Sequence, residues 1–182
     1  MSQQWIITRV DGAVSSVDIS YEGASRVIAR VGKLPVESVS EVTCSKISTE
    51  ELFALSDSLA WEDLRLFGSP FQKQVWKALF DLTHAPGSEP KLLCYTDFAE
   101  GMGKGPGVRA VAHALAQNPV PVIVPCHLII PKESMERLAA IQDENGLFSW
   151  KALYIVDSHI DYGEYALGTA LKRELILRHI DR

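Results

Sequence analysis

The sequence predicts an α+β fold, with a small mixed N-terminal domain over residues 1–68 and a mainly helical C-terminal domain over residues 69–182. Three observations lead to this prediction. Two β-rich runs flank Asp11-Gly12, a pair typical of hairpin turns. The segment Gly68-Ser69-Pro70 combines a boundary signal with a helix cap and a first helical residue. Beyond it, two short helical patterns separated by a glycine-containing turn predict a helix-turn-helix.

The N-terminal domain begins with the predicted hairpin, whose β-like runs cover residues 5–10 and 14–21. A helix is predicted over residues 48–59, because Ser48 or Thr49 can cap it and acidic residues follow in its first turn. No constellation of nucleophile, base or metal ligands stands out in this region. We therefore predict a structural or supporting role for it.

The C-terminal domain begins with a predicted amphipathic helix over residues 71–82. Phe71, Val75 and Leu79 lie on one stripe of that helix, and Trp76 widens the stripe. Aromatic residues at this spacing are typical of a hydrophobic core, so we assign Trp76 to packing rather than to binding.

The helix-turn-helix is predicted from the next two apolar patterns. Residues 95–102 carry apolar side chains at helical spacing, and Gly103 ends the pattern. Pro106 restarts it, and a second helix continues to Asn118.

One side of that second helix lacks the lysines and glutamates of an ordinary solvent face. It carries instead small or neutral residues, with one arginine and one histidine beside them: Gly107, Ala110, Ala114 and Gln117, flanked by Arg109 and His113. Small residues let a helix backbone approach another surface closely, and a DNA groove is one such surface. Packing against the N-terminal domain explains the same pattern, and the pattern alone favours neither explanation.

Residues 119–125 form a short apolar run rich in proline, which excludes a helix and predicts a buried, extended segment. The run delivers Cys126 and His127 to one place. A thiolate is a strong nucleophile, and a nearby base generates it near neutral pH. Since neighbouring side chains of an extended chain point to opposite faces, cooperation requires a bend after Pro125 or a bridging water. On the dipeptide alone, a buried inert thiol is the more ordinary explanation.

The rest of the chain is less regular. A helix is predicted over residues 132–141, and residues 149–156 fit either a strand or a helix. A final helix is predicted from Thr169 to His179.

Composition limits the classes of function. The net charge is −5, but residues 69–130 carry five basic and four acidic side chains, so only this middle segment is not acidic. That balance permits modest DNA binding there. No run has the length of a membrane span, and the N-terminus lacks the features of a signal peptide. Three widely spaced cysteines form neither a disulfide framework nor a zinc site. We expect reduced thiols, no metal, and a cytoplasmic location, or a nuclear one in a eukaryote.

Three stretches together resemble the methylated-DNA–protein-cysteine methyltransferases, also called O6-alkylguanine-DNA alkyltransferases. They are the segments 71–76, 108–115 and 118–127, and a further match covers residues 163–172. The resemblance implies a DNA-repair enzyme that transfers the alkyl group of O6-alkylguanine, and also of O4-alkylthymine, irreversibly to one cysteine. It implies base flipping, no cofactor, a monomer, double-stranded DNA as the partner, and a ribonuclease-H-like N-terminal domain.

The resemblance also implies roles for individual residues. Cys126 is expected to accept the alkyl group, and His127 to activate it through a water. Asn118 is expected to brace the helix-turn-helix against the cysteine segment, and Tyr95 to help donate a proton to the departing guanine. Arg109 is expected to enter the base stack, beside the DNA-facing residues Gly107, Ala110, Ala114 and Gln117. The pocket and its lid are expected to include Gly163, Tyr165, Ala166 and Lys172.

The sequence departs from the family pattern in three places. Leu128 stands where the family usually has an arginine, which affects a structural or phosphate contact rather than the chemistry. His179 falls where a glutamate is expected to orient His127, and a histidine accepts a hydrogen bond only when it is neutral. The segment 131–162 is an unusual insertion, and its Glu133 or Glu136 is a candidate replacement for the missing carboxylate.

Two other functions stay open on the sequence. A protein on the same scaffold that binds alkylated bases without accepting the alkyl group fits the departures at Leu128 and His179. A helix-turn-helix regulator with Cys126 as a sensor is disfavoured, because the recognition helix is not basic. A cysteine hydrolase is disfavoured further, because neither an oxyanion-hole motif nor a third triad member is identifiable.

Overall fold

A three-stranded antiparallel sheet opens the chain. The computed structural model describes residues 3–19, 39–88, 91–145, 160–163, 165 and 167–180. The strands lie in the order β2-β1-β3, with the bounds β1 Gln4–Val10, β2 Ala13–Ile19 and β3 Val42–Ser48. The predicted hairpin of β1 and β2 is confirmed, and its turn residues Asp11 and Gly12 have φ angles of 50° and 85°. Positive φ at both positions is characteristic of a type I′ hairpin turn.

The sequence analysis did not predict β3. It is the edge strand beside β1, and its residues are mostly exposed, so it lacks the alternation of a half-buried strand. Its pairing with β1 runs from Gln4 opposite Ser48 to Val10 opposite Val42. The long-range pairing defines this strand, and no local pattern reveals it.

The first helix, α1 (Thr49–Ser58), confirms the predicted helix and its cap. The Ser48 hydroxyl accepts a hydrogen bond from the Glu51 amide, and the Glu51 carboxylate accepts one from the Ser48 amide. This reciprocal arrangement satisfies two amides at the helix start. Trp5 Nε1 donates to Thr49 Oγ1 at 3.0 Å, which attaches α1 to β1.

Within the described residues, five further α-helices follow, and each of them was predicted in outline. Their bounds are α2 Pro70–His84, α3 Tyr95–Gly101, α4 Val108–Ala116, α5 Lys132–Asn145 and α6 Thr169–Ile180. Ser69 caps α2 and Pro70 is its first residue, as predicted. Trp76 is a core residue, also as predicted, with 1% of its surface exposed. The helix-turn-helix assignment of α3 and α4 and the ribonuclease-H-like shape stay predictions. In the described ranges, no helix has the length and apolarity needed to cross a membrane.

A short parallel pair of strands joins two distant parts of the chain. Leu93 and Cys94 form β4, Ile129 and Ile130 form β5, and they pair in register. Tyr95 follows β4 directly, and the cysteine–histidine pair lies just before β5. The ladder therefore brings Tyr95 towards the reactive dipeptide across more than 30 residues of sequence.

One apolar cluster joins the sheet to the helices. It includes Trp5 and Phe53 from one side of the predicted domain boundary and Trp76 from the other. The Val17 amide in β2 donates to the Pro119 carbonyl at 2.9 Å. The sheet thus supports the segment that leads to the cysteine, which agrees with a supporting role. The division into two domains stays a prediction.

A second apolar cluster includes residues of the predicted insertion 131–162. Its buried members are Leu92, Leu128, Ile130, Leu138, Ile160, Tyr162 and Ile176. Leu138 lies on α5, and Ile160 and Tyr162 lie near the end of the insertion. The insertion therefore covers β5 with apolar side chains. The expectation for residues 149–156 lies outside the described residues.

The segment 119–125, which we call the strap, is buried as predicted, but the prediction that it is extended is wrong. Val120, Val122, Ile123 and Val124 are each 0% exposed. The Val124 amide donates to the Val120 carbonyl at 2.9 Å, so the chain folds back on itself. Val122 has a φ of 77°, a conformation that β-branched residues rarely adopt because Cβ crowds the backbone. Packing on all sides selects this turn.

The predicted exposed stripe on α4 needs one correction. Ala114 is only 1% exposed, and its carbonyl accepts a hydrogen bond from Trp76 Nε1 at 2.8 Å. Its side of the helix therefore faces α2 rather than solvent. The open face of α4 carries Arg109, Ala110, His113, Ala116 and Gln117 instead.

Candidate active site

A bend at Pro125 places Cys126 on the wall of a cavity. The Cys126 amide donates to the Val124 carbonyl at 2.8 Å, and Pro125 has φ −81° and ψ 60°, the geometry of an inverse γ-turn. Residues 126–128 then form a single 3₁₀ turn. The bend that the sequence analysis required is present. It gives the His127 ring no hydrogen bond to the thiol, since Nδ1 of that ring lacks a partner among the described residues.

Asn118 connects the end of α4 to the strap and to the cysteine. Its Nδ2 donates to the Val124 carbonyl at 2.7 Å and to Cys126 Sγ at 3.1 Å, and its Oδ1 accepts from the Val120 amide at 3.0 Å. The predicted bracing residue therefore contacts the segment it was expected to brace. A donor aimed at sulfur favours the thiolate over the thiol.

His127 and His179 form a buried pair. His127 Nε2 lies 2.9 Å from His179 Nδ1, and the two side chains are 0% and 4% exposed. The position at which a glutamate was expected does contact His127. Burial, the His179 ring and the Lys172 charge hold the pKa of His127 well below its usual value. Burial and the nearby His84 lower the pKa of His179 to about 4. Both rings are therefore neutral at pH 7.

Lys172 lies beneath the site rather than at its rim. Its Nζ donates to the Ile129 carbonyl at 2.8 Å, and only 1% of the residue is exposed. Burial lowers the pKa of this lysine to about 8, while Cys126 and Asp161 act in the opposite direction. Burial raises the pKa of the Cys126 thiol, and the Asn118 hydrogen bond and the Lys172 charge oppose that rise. Lys172 thus supplies a positive charge that favours a thiolate.

The cavity in front of Cys126 has a volume of about 360 Å³. Its lining combines the predicted site residues with apolar and small ones: Tyr95, Ala112, Leu115, Ala116, Asn118, Pro121, Cys126, Tyr165, Leu167, Gly168 and Thr169. A cavity of this size suits a flat heterocycle with a few polar contacts. The structure therefore brings Tyr95, Asn118, Cys126 and Tyr165 together around one space.

Tyr165, one of the predicted lid residues, lies close to the Cys126 thiol. Burial raises the pKa of its hydroxyl well above the usual value, and proximity to Cys126 adds to the rise. The hydroxyl makes no well-oriented hydrogen bond with any described residue.

Gly163 and Ala166 are the two remaining predicted pocket residues. Gly163 has a φ of 79°, and a Cβ there would lie 3.1 Å from Pro131 Cδ, so glycine is required. Ala166 lies outside the described residues.

Only some of the predicted DNA-facing residues are exposed. Arg109, Ala110 and Gln117 are exposed, and Gly107 is half-buried at the start of α4. Gln117 Nε2 lies 2.9 Å from His113 Nε2, and its Oε1 accepts from the Gln72 amide group on α2. Ala114 does not belong to this face, for the reason given above.

Neither glutamate of the insertion replaces the missing carboxylate. Glu133 is exposed, and Glu136 lies 3.8 Å from Lys132 with its side chain 66% exposed, so the suggestion that one of them orients His127 is wrong. Leu128 is fully buried in the second apolar cluster. An arginine would place an unpaired charge there, so the leucine and the insertion fit each other.

Sequence reasoning missed the surroundings of His179. The ring of Phe53 meets it edge-on, with 5.4 Å between centroids, and His84 at the end of α2 lies close enough to lower its pKa. Both residues are distant in sequence from the site, and no local motif marks them. Across the described part of the chain, no group of three or more His, Cys, Asp or Glu side chains is arranged to bind a metal.

Comparison with known proteins gives a consistent result. Residues 70–142 match the family model described as the 6-O-methylguanine DNA methyltransferase DNA-binding domain. The probable methylated-DNA–protein-cysteine methyltransferase of Acanthamoeba polyphaga mimivirus is 31% identical over 126 residues, which cover 69% of this chain and 81% of that protein. The methylated-DNA–protein-cysteine methyltransferase of Mycobacterium leprae is 34% identical over 119 residues, which cover 63% of this chain and 62% of that protein.

Solved structures share the fold. The OGT of Mycobacterium tuberculosis in complex with DNA matches with a TM-score of 0.54 at 20% identity, over 96% of this chain and 85% of that one. The O6-methylguanine-DNA methyltransferase of Pyrococcus kodakaraensis matches with a TM-score of 0.56 at 21% identity, over 96% of this chain and 90% of that one. At these identities the likeness concerns the fold alone, and it confirms the predicted α+β class.

Proposed function

The chain belongs to the methylated-DNA–protein-cysteine methyltransferase family, and from that premise we propose that it repairs double-stranded DNA by transferring the alkyl group of O6-alkylguanine to Cys126. The observation that carries the proposal is the position of Cys126. Its Sγ lies at a cavity of about 360 Å³, receives the Asn118 amide at 3.1 Å and is close to the buried Lys172 charge. These groups oppose the effect of burial and favour a thiolate in a space that fits one base.

The reaction is a displacement at carbon. Cys126 loses its thiol proton, through a bridging water, to Nδ1 of His127, whose other ring nitrogen is engaged by His179. The thiolate attacks the alkyl carbon, an S–C bond forms, and the bond from that carbon to guanine O6 breaks. The guanine leaves as an anion and takes up a proton, for which the hydroxyl of Tyr95 at the cavity wall is the proposed donor. The thioether product is stable, so each molecule reacts once and is consumed.

The DNA must present the base outside the helix. O6 of guanine lies within the duplex, and a thiol on a cavity wall reaches the alkyl carbon only after the nucleotide has rotated out of the stack. The open face of α4 carries Arg109 among small residues, and its side chain is free to enter the gap that the base leaves. A face of this kind suits the minor groove. O4-alkylthymine is a second proposed substrate, since it offers the same alkyl–oxygen bond.

The direct test is an intact-mass measurement. The protein is incubated with a duplex containing one O6-methylguanine, and we expect a gain of one methyl group on Cys126, located by peptide mapping. The Cys126→Ala variant serves as the matched control and should gain nothing. An unmodified duplex tests whether the transfer requires the lesion.

Two other outcomes would replace the proposal. Tight binding to the lesion without a mass change identifies a protein that binds alkylated bases and does not repair them. Methylation of Cys126 by a small methylating agent, combined with no transfer from DNA, indicates a sensor cysteine.

A further inference from the structure

The His127–His179 pair differs from an ordinary base with a carboxylate partner. The two rings meet at 2.9 Å between Nε2 of His127 and Nδ1 of His179. Lys172 is the charged group that acts on His127, and His84 is the titratable group that faces His179. No carboxylate of the described chain is among the groups that shift the pKa of either ring. Among the described residues, a positive charge formed on His127 therefore has no anion beside it except the Cys126 thiolate.

The geometry fixes which nitrogen of His127 is available. Nε2 is occupied by His179, while Nδ1 is buried without a partner among the described residues. A neutral imidazole carries one N–H and one lone pair. If His127 is to accept the thiol proton, its lone pair must be on Nδ1 and its hydrogen on Nε2. The hydrogen bond then runs from His127 Nε2 to a lone pair on His179 Nδ1, which requires the Nε2–H tautomer of His179.

We propose that His179 is a positioning residue that holds His127 in its Nε2–H tautomer and accepts the Nε2 proton when Cys126 is deprotonated. The inference rests on the proposed function for the fate of the thiolate, but the proton transfer itself needs no DNA. The thiol proton moves through a bridging water to His127 Nδ1, and the Nε2 proton of His127 moves to His179 Nδ1. The pair ends with one added proton, a neutral His127 and a positive His179, and the sulfur carries the matching negative charge.

The surroundings of the two rings favour a positive charge on His179 over one on His127. The Lys172 charge lowers the pKa of His127 but is not among the causes that lower the pKa of His179. His179 lies in the last turn of α6, where the helix carbonyls favour a cation. Moving the proton to His179 therefore takes the charge away from Lys172 and towards the negative end of a helix. His84 opposes the transfer only when it is itself charged.

The tautomers are measurable in the unmodified protein. Long-range ¹H–¹⁵N spectra of the imidazole rings distinguish the two neutral tautomers of each histidine near pH 7. We expect the Nε2–H form for both His127 and His179. An Nδ1–H form of His127 would overturn the proposal, because its lone pair would then face His179 instead of the thiol side.

Variants test the proton-accepting role. The rate at which iodoacetamide alkylates Cys126, resolved from Cys44 and Cys94 by peptide mass, measures thiolate formation as a function of pH. In His179→Gln the amide oxygen still accepts from His127 but takes no proton, and we expect the half-maximal pH to rise by one unit or more, which slows the reaction about tenfold at neutral pH. In His179→Glu a carboxylate stabilises the cation, so the half-maximal pH should fall below that of the wild type.

Arg178→Gln is the matched control. It removes a charge and two ion pairs, with Glu50 and Glu174, from the same turn of α6, but it touches neither ring. Its profile should equal that of the wild type. A His179→Gln profile identical to the wild type would overturn the inference.

The two proposals fail in different ways. If methyl transfer from DNA is absent while the iodoacetamide profile depends on His179 as described, the proposed function is wrong and the inference stands. If transfer from DNA occurs and the profile is indifferent to His179→Gln, the proposed function stands and the inference is wrong.

Discussion

Asn118 makes three hydrogen bonds in a buried position, one of them to the reactive sulfur. Its side chain connects the strap at Val120 and Val124 to Cys126, so it contributes to folding and to reactivity together. The sequence analysis predicted a bracing role from the resemblance, but the bond to sulfur appears only in three dimensions. The contributions of such a residue to folding and to reactivity are best separated by variants that remove one hydrogen bond at a time.

Replacement of Asn118 should reduce both stability and thiol reactivity. Asn118→Ala leaves the Val120 amide without a partner and removes one of the two hydrogen bonds to the Val124 carbonyl, so we expect the free energy of unfolding to fall by about 1–3 kcal/mol. Asn118→Asp keeps the acceptor for the Val120 amide but points a carboxylate oxygen at the Val124 carbonyl and at sulfur. It should therefore slow alkylation of Cys126 further and cost at least as much stability as Asn118→Ala. Denaturant titration and the rate with free O6-benzylguanine measure the two effects. A change within about 0.5 kcal/mol in Asn118→Ala would contradict the bracing role.

Arg109 offers a prediction about DNA rather than chemistry. Arg109→Ala should slow repair of O6-methylguanine in a duplex by about tenfold or more, since nothing then fills the stack after the base leaves. Its reaction with free O6-benzylguanine should be nearly unchanged, because that compound needs no extrusion. Arg109→Lys controls for loss of charge alone. Equal losses with both substrates would contradict a role in the stack.

At the scale of elements, the strap shows how packing overrides local preference. Four apolar residues interrupted and flanked by prolines favour an extended chain, yet the buried turn places Val122 at a φ of 77°. Local pattern predicts the burial correctly because burial follows from composition. It fails on the conformation because the Val17 amide, Asn118 and the surrounding core impose the turn from outside the segment.

The strain at Val122 predicts an inverted order of stabilities. Truncation to alanine removes two buried methyl groups and truncation to glycine removes one carbon more, but only glycine adopts positive φ without a clash. Val122→Gly should therefore be more stable than Val122→Ala by about 1 kcal/mol. At Val120, equally buried but without positive φ, the ordinary order should hold, with alanine more stable than glycine. Thermal or denaturant unfolding of the four variants decides the point.

Helix α5 of the insertion packs against β5 and the residue before it, Leu128. Leu128 lies in the apolar cluster that Leu138 completes. Leu128→Arg, which installs the residue expected from the family pattern, should cost several kcal/mol because the charge has no partner there. Leu128→Met keeps volume and polarity and should cost less than about 1.5 kcal/mol. A stable Leu128→Arg protein, measured by denaturant titration, would show that α5 does not cover this position.

At the scale of the whole molecule, the buried histidines make stability depend on pH. The pKa of His179 falls from 6.5 to about 4 on folding, and that of His127 is lowered too. Between pH 6.5 and about pH 4 the unfolded chain binds more protons than the folded one. The free energy of unfolding therefore falls as the pH drops through this range. The slope should reach about 1.4 kcal/mol per pH unit for each histidine. His179→Leu should flatten it. A wild-type stability that stays constant from pH 7 to 5 would contradict the burial of neutral rings.

The features that can be predicted from the sequence are those that depend on residues close together in the chain. Ser48 and Ser69 cap helices as expected, and the Asp11-Gly12 turn joins a hairpin, because caps and turns depend on a few adjacent residues. The strand β3, the buried side of Ala114 and the place of Lys172 under the cysteine depend on partners far along the chain. The contact of His179 with His127 was found because a family pattern carries long-range information that periodicity lacks.

The span of the site has a consequence for synthesis. Its parts come from Tyr95, the strap, Cys126 and finally α6, which ends at Ile180. While the ribosome is still making α6, the emerging polypeptide already carries Cys126 but has neither Lys172 nor His179 in place. We expect the thiol of such a nascent chain to be unactivated and slow to react with alkylating compounds in the cell. Under the proposed single transfer to Cys126, this order of translation would preserve the acceptor thiol until the site is complete.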